Sequence, residues 1–146
     1  MAKNDNSNHL RDVLSAHGLR YSRPREAVLA YFREEAKHVT AENIYSDLQA
    51  AGHRFSLSTV YLNLNALKQA GIIREFRGNG GEALYDSNSS LHYHLICKHC
   101  GVVTDLPRGF VTGETAQFYK VQIETHSGWH VDEPNLNFYG LCPDCL

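Results

Sequence analysis

The sequence predicts an α+β chain: a winged helix-turn-helix over residues 1–85, a link at 86–91, and a small α/β domain over 92–146 built on a four-cysteine metal site. Three observations predict it. Apolar residues recur at helical spacing in capped segments before residue 70, a glycine-rich turn at 78–81 joins two short strand-like runs, and two C-x-x-C pairs bracket the second half. With 146 residues, 42 % of them hydrophobic, the chain is long enough to bury a core.

In order, residues 1–8 are polar and read as a tail. Leu10, Val13 and Leu14 then line one side of a helix over about 9–17 that Gly18 stops. Ser22 caps a second helix, which tolerates Pro24 in its first turn, presents Ala27, Val28, Tyr31 and Phe32 on one stripe, and fades near Glu35. Thr40 caps a third, with Ile44, Tyr45 and Leu48 inward and Gly52 at its end. Ser56 caps a fourth that runs to Ala70, with Gly71 just after. Ile72–Arg77 and Glu82–Tyr85, joined by Gly78-Asn79-Gly80-Gly81, form the hairpin. Beyond the polar link Asp86–Ser90, residues 92–96 and 102–106 read as strands, Phe110 to about Thr125 as a helix, and Val131 and Leu136–Leu141 as further strand.

The fourth helix carries the first functional signal. Val60, Leu64 and Leu67 make its buried stripe, while Ser58, Tyr61, Leu62, Asn65, Lys68 and Gln69 face the other way. That second face is rich in hydrogen-bonding groups without the dense charge of a purely solvated surface. An ordinary amphipathic helix could look the same; the hairpin that follows favours a recognition helix for the DNA major groove. Residues 1–85 hold eleven Lys/Arg against nine Asp/Glu, and residues 86–146 three against seven, so only the first half has the charge for a polyanion. Arg20, Arg23, Arg25, Arg54, Arg74 and Arg77 are candidates for phosphate contact, although each alone is also what a solvated surface carries.

The second signal is metal chemistry. The start, Met1-Ala2-Lys3-Asn4-Asp5-Asn6, has no apolar signal segment and no apolar run approaches a membrane span. The expectation is a cytoplasmic protein, where paired cysteines ligate metal rather than form disulfides. Cys97 and Cys100, with Cys142 and Cys145 after 41 intervening residues, give a closed tetrahedral site suited to structural Zn²⁺. His92 and His94 share one face of their strand, while Cys97 starts on the other, so two sites are expected. Antiparallel pairing through the 97–101 turn would bring Asp105 beside those imidazoles, with Asp86 just before them. Such a nitrogen/oxygen set suits Fe²⁺, Mn²⁺ or Zn²⁺. His38 is a further candidate ligand that spacing alone does not separate from His17 or His53, and His99, His126 and His130 read as surface residues. A non-haem iron enzyme would use a similar set.

Taken together these stretches resemble the ferric uptake regulator (Fur) family of metal-dependent repressors, most closely its peroxide-sensing branch, over roughly residues 10–145. The resemblance rests on Ser22-Arg23-Pro24-Arg25; His38 with Thr40-Ala41-Glu42-Asn43-Ile44-Tyr45; Ser56-Leu57-Ser58-Thr59-Val60-Tyr61; His92 through Gly101; and Tyr139-Gly140-Leu141-Cys142-Pro143-Asp144-Cys145. It implies a regulator and not an enzyme: a pseudo-palindromic DNA operator, a homodimer formed through the C-terminal domain, and no membrane partner. It further implies structural zinc on the four cysteines and Fe²⁺ or Mn²⁺ as co-repressor on His38, Asp86, His92, His94 and Asp105. DNA contacts fall on Arg23, Ser58, Thr59, Tyr61, Asn65, Lys68 and Arg77, and oxidation by peroxide on His38 or His92. Aspartate at both 86 and 105, where many iron sensors carry Glu, resembles the peroxide sensors. An iron, manganese or zinc uptake regulator is the other reading. Leu62 departs from the Arg or Asn common in the family, residues 107–134 match loosely, and Leu91, Tyr93 and Pro134 stand where a second histidine/carboxylate site would need His or Asp.

Overall fold

A computed structural model describes residues 2–34, 38–90, 92–106, 109, 113–132 and 134–146. The chain forms two compact units, one running up to Arg77 and including Gly81–Ser89, the other comprising Gly78–Gly80 with Ser90–Leu146.

The first unit contains α1 (Ala2–Ala16), α2 (Arg23–Glu34), β1 (His38–Val39), α3 (Ala41–Ala50), α4 (Leu57–Gln69), β2 (Arg74–Arg77) and β3 (Ala83–Asp86). Its helices begin where local chemistry allows. Ser22 Oγ accepts from Arg25 N at 3.2 Å, and Ser56 Oγ from Thr59 N at 3.1 Å. At α3 the Thr40 hydroxyl accepts from Asn43 N while Asn43 Oδ1 accepts from Thr40 N, closing both orphan donors. Gly71, at φ 73°, lets the chain turn after α4 so that Ile72 N donates to Leu67 O at 3.0 Å. Leu10, Leu14, Val28, Phe32, Ile44, Leu48, Val60, Leu64, Leu67, Ile73 and Tyr85 are buried together, so every helix and the hairpin contribute to one core. The sheet order is β1-β3-β2, antiparallel throughout.

The expected winged helix-turn-helix is present, with three differences in detail. Helix α1 begins seven residues earlier than the apolar pattern suggests, because the polar stretch before Leu10 continues the helix without an apolar face to announce it. The first hairpin strand starts two residues later than expected, at Arg74, and the second is shifted by one residue to Ala83–Asp86. Strand β1 was not foreseen: two residues become a strand only because His38 and Val39 pair with Asp86 and Tyr85, far away in sequence.

The second unit contains β4 (His94–Cys97), β5 (Val103–Asp105), α5 (Gly113–Ser127), β6 (Asn137–Gly140) and a 3-10 turn at Pro143–Cys145. Strand order is β5-β4-β6, with β5 antiparallel and β6 parallel to β4. The expected strand over 92–96 begins at His94, and that over 102–106 is Val103–Asp105. The expected helix from Phe110 is described from Gly113, residues 110–112 lying outside the described residues. Val131 is not in a strand; its N–H donates instead to Glu124 Oε1 at 2.9 Å. Among the described residues, no helix is long and apolar enough to cross a membrane.

Candidate metal centres and nucleic-acid interface

The four cysteines meet in the second unit. Cys97 ends β4, Cys100 closes the turn after it, and Cys142 and Cys145 follow β6, whose parallel pairing sets Gly140 opposite Cys97. The four sulfurs lie within 4.8 Å of one another, and Cys100 Sγ is 3.8 Å from Cys142 Sγ. A tetrahedral centre with metal–sulfur bonds of about 2.3 Å puts neighbouring sulfurs about 3.8 Å apart, whereas a disulfide bond is about 2.05 Å. The spacing therefore fits zinc and not an oxidised pair. Backbone N–H groups of Cys100 and Cys142 pull the Cys97 thiol down to about 5, while the hydrogen bond to Cys142 pushes Cys145 up to about 12. Four thiols this close share protons unequally, and a divalent cation relieves that competition by replacing the protons. His99, between two of the ligands, is exposed.

Three further ligand atoms meet at the other end of β4. His92 Nε2 and His94 Nε2 are 3.1 Å apart, and Asp105 Oδ1 lies 3.5 and 3.6 Å from them. Register supplies Asp105 directly, since it pairs with His94 across β4 and β5. Ligands about 2.1 Å from one metal and 90–109° apart are about 3.0–3.4 Å from each other, close to these spacings. The outer nitrogens explain the arrangement. His92 Nδ1 is 2.7 Å from the Ser90 carbonyl oxygen, which can only accept, so Nδ1 carries the hydrogen; His94 Nδ1 is 3.3 Å from Asn137 Oδ1. An imidazole whose Nδ1 hydrogen is directed to an oxygen acceptor presents Nε2 as its metal-ligating nitrogen. Ser90 and Asn137 were not foreseen, and no local signal marks them: one acts through its carbonyl, the other through the parallel β4–β6 pairing.

In the first unit, His38 Nε2 lies 3.3 Å from Asp86 Oδ2, the two residues being opposite one another on β1 and β3. Asp86 is only 1 % exposed and also accepts from Asn88 N at 2.7 Å. A carboxylate buried to this degree needs cationic or hydrogen-bonding partners. The His38 ring is held edge-on to Phe76, centroids 5.6 Å apart. His17 and His53, the other histidines weighed with His38, are exposed, His17 bonding Val13 O and His53 lying against Phe55.

On α4, Val60, Leu64 and Leu67 are buried, while Ser58, Tyr61, Leu62, Asn65 and Gln69 are exposed and Thr59 and Lys68 half-buried. Tyr61 donates its hydroxyl hydrogen to Glu42 Oε1 at 2.6 Å, which holds Glu42 below the usual carboxylate range and raises Tyr61 to about 12. Lys68 Nζ is 2.7 Å from Glu75 Oε2, and Arg77 Nη2 is 3.5 Å from Glu75 Oε1. Arg25 is committed inside the unit: its Nε donates to Asn63 Oδ1 at 3.1 Å and its Nη1 to Arg20 O at 2.6 Å. Asn63, buried on α4, was missed by the sequence reading, although its place three residues after Val60 puts it at the edge of the apolar stripe.

Residues 16–139 match the sequence profile of the ferric uptake regulator family. The chain is 31 % identical to the peroxide operon regulator of Bacillus subtilis over 136 residues, 92 % of this chain and 89 % of that protein. It is 34 % identical to the transcriptional regulator FurA of Mycobacterium tuberculosis over 135 residues, covering 92 % and 88 %. Among solved structures, the ferric uptake regulator from Francisella tularensis with iron superposes with a TM-score of 0.71 at 26 % identity, covering 88 % of this chain and 95 % of that one. These matches span the winged helix, the histidine/aspartate strands and most of the cysteine-bearing half, and the relatives are regulators, not enzymes. The chain belongs to the ferric uptake regulator family of metal-responsive transcriptional regulators.

Proposed function

We propose that this chain is a homodimeric, metal-dependent repressor that senses peroxide. Zinc on Cys97, Cys100, Cys142 and Cys145 would hold the second unit together, and Fe²⁺ or Mn²⁺ would act as co-repressor on His38, Asp86, His92, His94 and Asp105. The observation that carries the reading is the pair of inward-facing Nε2 atoms beside Asp105, with both Nδ1 atoms fixed by oxygen acceptors. Aspartates, rather than glutamates, at 86 and 105 favour the peroxide-sensing branch.

On this reading the ion would be a staple. His38 and Asp86 belong to the first unit and the other three to the second, so an ion engaging all five would fix the angle between units. In a two-fold dimer that angle sets whether both α4 helices reach half-sites of a pseudo-palindromic operator. Fe²⁺ held by these residues would supply redox catalysis toward peroxide. An imidazole C–H of His38 or His92 would give up two electrons and take one peroxide oxygen, the hydrogens and the second oxygen leaving as water, and the oxidised ring would be a poorer nitrogen donor. Loss of that ligand would open the staple and release the DNA.

Treating the Fe²⁺- and Mn²⁺-loaded protein with peroxide and weighing its peptides tests this. One added oxygen on the His38 or His92 peptide is expected in the iron form alone, together with loss of DNA binding. An unmodified iron form that keeps its DNA would overturn the peroxide role.

The match to the ferric uptake regulator family, and the similarity to a ferric uptake regulator solved with iron, support a second reading, an iron, manganese or zinc uptake regulator without peroxide chemistry. Metal content after purification, with the identity of the metal that restores DNA binding to stripped protein, separates the two.

A further inference from the structure

Two polar side chains on the exposed face of α4 end on carboxylates. Tyr61 bonds Glu42 from the first turn of α3, and Lys68 from the last turn of α4 bonds Glu75 on β2. Glu75 does more than neutralise one lysine. Its two oxygens divide between two cations, Oε2 to Lys68 Nζ at 2.7 Å and Oε1 to Arg77 Nη2 at 3.5 Å. Glu75 and Arg77 are two apart on β2 and so share a face of the strand, and Arg77 Nη1 also donates to Gly81 O at 3.2 Å in the wing. The carboxylate side chain is 19 % exposed, shielded enough to hold its place, whereas those of Lys68 and Arg77 are 39 % and 64 % exposed and open to a ligand.

A carboxylate that accepts from a lysine on one oxygen and faces an arginine on the other has the form of a phosphate contact. We infer that Glu75 is a specificity-determining residue, its carboxylate standing between Lys68 and Arg77 where a DNA phosphate would otherwise bind. The inference rests on the reading of α4 and the wing as the DNA-binding face.

The consequence concerns which DNA the protein holds. Phosphate contacts supply nearly all of non-specific affinity, and base contacts add the sequence dependence. With Glu75 in place, Lys68 and Arg77 contribute little net charge, so DNA lacking the right bases gains little from them. An operator that engages Ser58, Asn65 and their neighbours offsets the cost of turning the two cations from Glu75 to the backbone. Glu75 thus weakens binding to all DNA but widens the ratio between operator and other sequences.

The test uses full-length, metal-loaded protein and two probes: a random-sequence duplex pool, and the duplex that the wild-type protein enriches from that pool. Glu75→Gln keeps the side chain's size and removes its charge. It is expected to bind the random pool about 5-fold more tightly at low salt, to narrow the enriched-to-random affinity ratio, and to steepen the slope of log K against log salt by about 1. Adding Lys68→Met to that variant should reverse much of the gain. Unchanged or weaker binding of the random pool by a folded Glu75→Gln protein, with an unchanged salt slope, would show that Glu75 only braces the wing, and the inference would fall. Asn65→Ala and Arg77→Ala probe the underlying reading separately: if neither weakens binding of the enriched duplex, the DNA face lies elsewhere.

Discussion

The two units solve the problem of stability by different means. The first buries one continuous core in which Leu14, Val28, Ile44, Val60, Leu64 and Leu67 are fully enclosed. In the second, the buried apolar residues among those described are Tyr93, Ile96, Cys97 and Ala116, while Phe118, Tyr119, Val121, Ile123, Phe138 and Leu141 are exposed and Trp129 is 75 % exposed. A unit of about 60 residues whose described residues bury so little apolar surface would draw much of its folding free energy from a tetrathiolate metal site. Exposed apolar side chains such as those of α5 and β6 are of the kind that protein association covers. The first unit thus carries its stability in its own core, whereas the second is expected to depend on its metal.

The largest test of that contrast is Cys142→Ser. Loss of a structural zinc ligand should remove on the order of 10 kcal/mol from the second unit and unfold it while leaving the first folded. Hydrogen exchange would show amides of β4 and β6 unprotected and those of α2 and α4 unchanged; global loss of protection would mean that the first unit is not self-sufficient. Leu64→Ala should do the converse, destabilising the first unit by about 3 kcal/mol through a cavity in its core, with amide exchange in β4 and β6 reporting an unaltered second unit. Phe118→Asp is expected to act more mildly, weakening self-association by about 2 kcal/mol, or roughly 30-fold, with both units folded. Sedimentation at several concentrations checks it, and an unchanged dimer would place the interface off α5.

What could be read in the sequence follows the range of the interactions that set it. Helix starts at Ser22, Thr40 and Ser56 were legible because each hydroxyl caps a backbone N–H three residues on. The four cysteines were legible because thiolate ligands come in short, regular spacings. Strand β1 was not, since nothing within His38-Val39 makes it extended except pairing with β3. For the same reason spacing could not choose His38 over His17 and His53, and that choice came from the family resemblance. Val131, read as strand from its side chain alone, is instead tied to α5 by Glu124. The carboxylates opposite Tyr61 and Lys68 were also hidden, because which glutamate faces which helix depends on how α3, α4 and β2 pack.

Strand β4 opens on His94 and closes on Cys97, and it is paired on both sides. Three residue steps of extended chain span about 10 Å, with no flexible joint between the two ends. The strand is therefore a ruler between the imidazole and thiolate ends of the unit. Paramagnetic manganese at the first end would shorten the nuclear relaxation of cadmium substituted at the second by a fixed amount. That shortening would read the length of β4 alone.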